Sequence, residues 1–86
     1  MRIARTARFK KSWERLTKAD ETLARKAITN LAINTQYPSL RVKKIKGTEN
    51  IWEARVSLSL RITFRIEGNT IILRNIGRHD ETLERP

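Results

Sequence analysis

The sequence has no cysteine, which excludes disulfides and thiolate metal sites. Its one histidine, His79, could offer a metal a single imidazole, so neither a structural zinc nor any other cofactor is expected. A long apolar run and a secretory leader are also missing, since Met1 is followed by Arg2 and mixed polar residues. The expectation is a soluble, cytoplasmic protein with no membrane partner. There are no internal repeats and no low-complexity segments, and the two prolines, Pro38 and Pro86, stand where elements should end. Acidic residues are scarce: 9 Asp and Glu face 19 Lys and Arg, a formal charge of +10.

That imbalance repels the chain from itself unless a polyanion neutralises it, which makes a nucleic acid the default partner. A chain of 86 residues buries only about 60% of its unfolded surface, enough for one modest core, so residues 1–86 are expected to form a single domain.

Helical periodicity comes first. Phe9, Trp13 and Leu16 fall at i, i+4 and i+7 behind Thr6, a plausible N-cap, with Met1 to Arg5 as a short strand candidate before them. A second helix is expected from about Asp20 to Thr35, with Leu23, Ala27, Ile28, Leu31 and Ala32 on one face. Thr17 and Asp20 form a capping-box pattern at its start, and Tyr37-Pro38 is its expected stop. Two such helices joined by a tight turn make a helical hairpin.

From Leu40 the period changes. Every even position from Trp52 to Ile66 is apolar and every odd position between them is polar or charged, the pattern of antiparallel strands with one face on a core. A turn near Ser57 to Ser59 splits this run, and a turn centred on Leu58 sets Arg55 beside Arg61. Gly68-Asn69 signals the next hairpin. Pairing across it sets Ile66 against Ile71 and Phe64 against Leu73 on the core side, with Arg65 facing Ile72, Thr63 facing Arg74 and Arg61 facing Ile76 on the other. The expected fold is therefore α+β: an N-terminal helical hairpin packed on a small, mainly antiparallel, twisted sheet.

The second face of that sheet would carry Arg55, Arg61, Arg65 and Arg74, with Arg78, His79 and Asp80 leaving its edge after Gly77. Neighbouring like charges on a sheet are unfavourable, so something should compensate them. Arginines of this kind can simply solvate an exposed face. Here two further basic blocks accompany them, Arg41, Lys43, Lys44 and Lys46 and the N-terminal series Arg2, Arg5, Arg8, Lys10, Lys11, Arg15 and Lys18, which together resemble an electrostatic footprint for phosphates. His79 is either an ordinary surface residue or a proton shuttle, since histidine titrates near neutrality. Asp80 either orients it or caps the last turn. Glu53 shares the face of Arg55 and is either a structural ion-pair partner or a general base. Trp13 and Trp52 could stack on bases, but both fall on apolar stripes that suit core packing; Tyr37 reads as a helix-end anchor.

Taken in order, the helical pair, Leu40-Arg41-Val42-Lys43-Lys44-Ile45-Lys46-Gly47, Ile51-Trp52-Glu53-Ala54-Arg55-Val56, Leu60-Arg61-Ile62-Thr63-Phe64-Arg65-Ile66 and Ile76-Gly77-Arg78-His79-Asp80 resemble the RelE/ParE superfamily of toxins from toxin–antitoxin systems. The likeness spans nearly the whole chain and is most specific from Gly47 to Phe64. It implies a RelE-like fold and a ribosome-dependent endoribonuclease that cuts mRNA by metal-independent attack of a ribose 2′-hydroxyl on the adjacent phosphate. It also implies a hetero-oligomer with an acidic cognate antitoxin. Under the resemblance Arg61 holds the scissile phosphate, Arg55 is the upstream basic strand residue and His79 transfers a proton. Glu53 is the other candidate acid–base group, and Lys43, Lys44, Lys46, Arg65, Arg74 and Arg78 line the RNA. Several family members carry a tyrosine or a histidine pair near the C-terminus, where this chain reads His79-Asp80-Glu81-Thr82, so the general base stays open. So does the target: a ParE-like toxin that inhibits gyrase, or a non-enzymatic basic nucleic-acid-binding domain, would share the architecture.

Overall fold

Thr6 and Thr17 set the two helices that follow the first strand. In the structure, a computed structural model describing residues 1–86, strand β1 spans Arg2–Arg5, and the Thr6 hydroxyl oxygen then accepts a hydrogen bond from the Phe9 amide to cap α1 (Ala7–Glu14). Thr17 caps α2 (Lys18–Ile33) in the same way, accepting from the Asp20 amide at 3.1 Å. The chain thus opens on the strand for which Met1 to Arg5 is the candidate, and the helical hairpin expected at the N-terminus is not what begins the fold. β1 pairs in parallel with the last strand, and α1 packs against that strand.

Two details of α2 differ from expectation. Its buried face is Ala24, Ala27 and Leu31, whereas Leu23 is 45% exposed. The three buried positions are i, i+3 and i+7 of one helical stripe; choosing Leu23 for its size shifts that stripe by one residue. The helix also ends at Ile33, five residues before Pro38. Asn34 leaves helical geometry at φ −155° and its side-chain oxygen accepts from the Gln36 amide at 2.9 Å, a local turn that competes with further helix. Pro38 then opens a short 3₁₀ turn, Pro38–Leu40.

The remaining strands are β2 (Lys43–Lys44), β3 (Trp52–Arg55), β4 (Leu60–Glu67) and β5 (Thr70–Arg78), followed by α3 (His79–Glu84). The five-stranded sheet runs β1-β5-β4-β3-β2, antiparallel except for β1 with β5. Arg55 pairs with Arg61 as a turn centred on Leu58 requires, and Ile66 with Ile71, Phe64 with Leu73 and Arg65 with Ile72 as the Gly68-Asn69 hairpin requires. Past Leu73 the register slips: Thr63 pairs with Asn75, Ile62 with Ile76 and Arg61 with Gly77, not Thr63 with Arg74 or Arg61 with Ile76. Arg74 is the extra residue of a β-bulge, and its carbonyl accepts from the Thr6 hydroxyl at 3.1 Å. Without the bulge Ile76 would face the arginines; with it Ile76 lies beside Ile62 in the core.

The core lies between the helices and one face of the sheet. Phe9, Leu31, Ile62, Phe64, Ile71 and Leu73 are wholly buried there. Both tryptophans pack against this cluster, as their apolar stripes suggest, and Arg25 lies 5.2 Å from the Trp13 ring centroid. No helix is long and apolar enough to cross a membrane.

Candidate nucleic-acid interface

The sheet face away from the core is polar, and the strand pairing builds it row by row. Across β2, β3, β4 and β5 one row reads Lys43, Glu53, Thr63 and Asn75. The next reads Arg55, Arg61 and Gly77. Arg65, opposite Ile72, lies two residues along β4 from Thr63 in the other direction.

The end of the sheet that carries Arg55 and Arg61 is organised around one loop. Arg61 turns its guanidinium back toward it, Nη1 donating to the carbonyls of Ser57 at 2.7 Å and of Leu58 and Leu60 at 3.2 Å each. The amide of His79 donates to the remaining carbonyl, that of Ser59, at 2.8 Å. The four successive carbonyls from Ser57 to Leu60 are therefore held by the two residues that the sequence nominates for phosphate binding and proton transfer. Carbonyls orient a guanidinium without cancelling its charge, so Arg61 stays a full cation with Arg55 beside it, and neither is ion-paired. His79 opens α3 with an exposed ring, and its Nδ1 lies 3.2 Å from Oδ1 of Asp80. Asp80 thus touches the imidazole.

The rest of the arginine face is occupied by the chain itself. α3 and the two residues after it cross the sheet here. The Pro86 carbonyl accepts from Thr63 Oγ1 at 2.9 Å and from Arg74 Nε at 3.2 Å, and the Arg85 carbonyl accepts from Asn75 Nδ2 at 3.2 Å. Gly77 permits the crossing, since a Cβ at that position would meet Thr82 Oγ1 at 2.9 Å. Arg65 leans toward Glu67, Nε to Oε1 3.6 Å. Glu53 is only 5% exposed, between Thr63 and Lys43, whose Nζ lies 3.8 Å from Oε1.

The basic residues do not converge on one face. Lys43 shares the face of Glu53, but Lys44 pairs with Trp52 and by alternation points to the opposite side, and Lys46 lies in the loop before Gly47. Arg78 pairs with Leu60 and so leaves the sheet on the core side, next to α1. Tyr37 is partly exposed at the end of the helical region, beside the 3₁₀ turn. The polar residues that complete the face, Thr63, Asn75 and Thr82, are buried and were not singled out in the sequence. The partners of Thr63 and Asn75 are distant in the chain, Ser12 for Asn75 at 2.6 Å among them, whereas the Thr82 hydroxyl, on α3, is buried with no hydrogen-bond partner.

No protein-family model and no curated protein sequence matches the chain. Its fold matches solved structures over almost their entire length. A metal-bound toxin from Helicobacter pylori superposes with a TM-score of 0.77 at 27% identity, covering 94% of this chain and 97% of that one. The RelB–RelE antitoxin–toxin complex of Methanococcus jannaschii gives 0.77 at 21% identity, with 96% and 99% covered. A YoeB/ParE toxin from Agrobacterium tumefaciens gives 0.78 at 18% identity, with 92% and 99% covered.

Proposed function

We propose that this chain, which has the fold of the RelE/ParE superfamily of toxins, is the toxin of a toxin–antitoxin module and acts as an endoribonuclease on ribosome-bound mRNA in the cytoplasm. The observation that carries the reading is the Ser57–Leu60 loop, whose four carbonyls place Arg61 and His79 at one end of the sheet with Arg55 alongside. Two cations without carboxylate partners suit a phosphate diester that gains charge as it reacts.

The chemistry needs no group outside the chain and the RNA. A ribose 2′-oxygen attacks the adjacent phosphorus as its proton leaves, the bond from phosphorus to the 5′-oxygen breaks, and that oxygen takes up a proton. The products are a 2′,3′-cyclic phosphate and a 5′-hydroxyl. Arg61, with Nη1 anchored, has Nε and Nη2 to offer the phosphate, and Arg55 neutralises the second non-bridging oxygen. His79 is exposed at the rim and takes the proton-transfer role, oriented by Asp80. Burial and the nearby Lys43 suit Glu53 to the role of counter-charge under the arginines, not of a base in contact with ribose. Lys43, Lys46 and Arg65 line the approach.

The partner in this reading is an acidic antitoxin that gains structure as it covers the basic surface, giving a hetero-oligomer. Structures with the same fold include antitoxin–toxin complexes, RelB–RelE and DinJ–YafQ. Incubation with translating ribosomes tests the activity. Messages should be cut to fragments with 5′-hydroxyl ends, and Arg61→Ala should leave them whole. Intact messages with the parent chain, accompanied by double-strand breaks and supercoiling defects on expression, would replace this reading by a gyrase-directed one.

A further inference from the structure

The N-terminal basic series finds no use in the reaction above, although α1 presents it in an ordered way. Arg8, Lys11 and Arg15, at i, i+3 and i+7, are exposed on one side of the helix over about 10 Å of its length. They form one wall of a groove of about 640 Å³ between α1 and α3. None of the three, nor Arg78 at the groove's inner end, is ion-paired, although Asp20, Glu81 and Glu84 also line it. The Arg8 guanidinium donates to the Arg85 carbonyl, which holds it in place with its charge uncompensated.

The groove begins where the candidate site ends. Leu60, Gly77 and Arg78 line it, and Gly77 is the strand partner of Arg61 while Leu60 is the partner of Arg78. A strand whose phosphate sits at Arg61 therefore has a cationic track leading past Arg78 onto α1. The lining suits a sugar–phosphate backbone better than an amphipathic peptide helix, because Leu16, Leu60 and Ile76 are its only apolar residues. The carboxylates of Glu81 and Glu84 stand on α3, which keeps the phosphates to the α1 wall.

We propose that the α1–α3 groove is a second phosphate-binding subsite, which holds the backbone of single-stranded RNA flanking the nucleotide bound at Arg61. The inference rests on the nuclease reading for its direction, but its test does not require cleavage. Binding of the parent chain and of the double variant Lys11→Ala/Arg15→Ala to fluorescent RNAs carrying 2′-deoxy sugars throughout the cleavable positions is measured by anisotropy over a salt series. A 12-nucleotide probe should bind the double variant about tenfold more weakly, with the slope of log K against log salt smaller by about 1.4, since each lost phosphate contact is worth about 0.7 on a single strand. A 3-nucleotide probe, too short to leave the Arg61 end, should bind both proteins alike.

Equal affinity and slope for the 12-nucleotide probe would overturn the inference, as would absence of binding by the parent at low salt. Polyglutamate supplies the remaining arm. If the double variant loses polyglutamate binding while RNA binding is unchanged, the groove serves an acidic polypeptide and the proposal falls. Binding that follows the prediction alongside uncut messages would retain the subsite and remove the nuclease reading.

Discussion

The two faces of the central sheet are built on opposite principles. The face under the helices holds Ile62, Phe64, Ile71 and Leu73 by burial alone, which is non-directional and tolerates small changes of shape. The face under α3 is also closed, at Thr63 and Asn75, but hydrogen bonds to Ser12, Arg85 and Pro86 close it, and those depend on single atoms. Beyond α3 the same face opens, and there Arg55, Arg61 and the His79 ring are left without carboxylate partners except for Asp80 beside the imidazole. Stability is concentrated on one side of the sheet and unneutralised charge on the other, so substitutions should separate the two.

The largest expected effect breaks the apolar side. Phe64→Ala should cost about 3–5 kcal/mol in urea unfolding, because a wholly buried ring leaves a cavity between sheet and helices. A loss below 1 kcal/mol would mean that the core is looser than described. On the open polar side the effect should be of similar size but in activity: Arg61→Ala is expected to lower cleavage about 100- to 1,000-fold while stability falls by only about 1 kcal/mol. A parallel fall in both quantities would show that Arg61 merely holds the loop.

Smaller changes probe the closed polar part. Gly77→Ala should cost about 1–3 kcal/mol by pushing against Thr82 Oγ1, and Gly77→Ala/Thr82→Ala should recover most of it, a coupling that a distant pair would not show. Thr63→Val, which keeps shape and loses the bond to Pro86, should cost about 1 kcal/mol. At the bottom of the scale, Glu21→Ala on the exposed side of α2 removes a pair with Arg25 worth about 0.3–0.5 kcal/mol.

The sequence carries these regions unequally. Unbroken alternation from Trp52 to Ile66 is enough to place Arg55 beside Arg61, because a strand has only two faces and a turn at Leu58 leaves one register. Thr6 and Thr17 cap as their side chains dictate. The bulge at Arg74 left a trace that counting from the Gly68-Asn69 turn ignores. Ile71 and Leu73 are odd and Ile76 is even, and only an extra residue lets all three face the core. The closure of the polar face has no local signature at all. Thr63 meets Pro86 across 23 positions and Ser12 meets Asn75 across 63, and no periodicity reports a contact of that kind. The parallel pairing of β1 with β5 is a long-range contact of the same sort, so the sequence marks Met1 to Arg5 as a strand candidate but not the strand it pairs with.

The central claim is that Arg61, held by the loop carbonyls with its charge intact, grips a phosphate of mRNA on the ribosome. Genome-wide mapping of RNA 5′ ends after induced expression of the parent chain and of Arg61→Ala tests it most directly. New 5′-hydroxyl ends inside translated regions with the parent, and their disappearance with the variant at equal protein levels, are the predicted result. Ends that are the same in both strains, or no new ends alongside growth arrest, would contradict it.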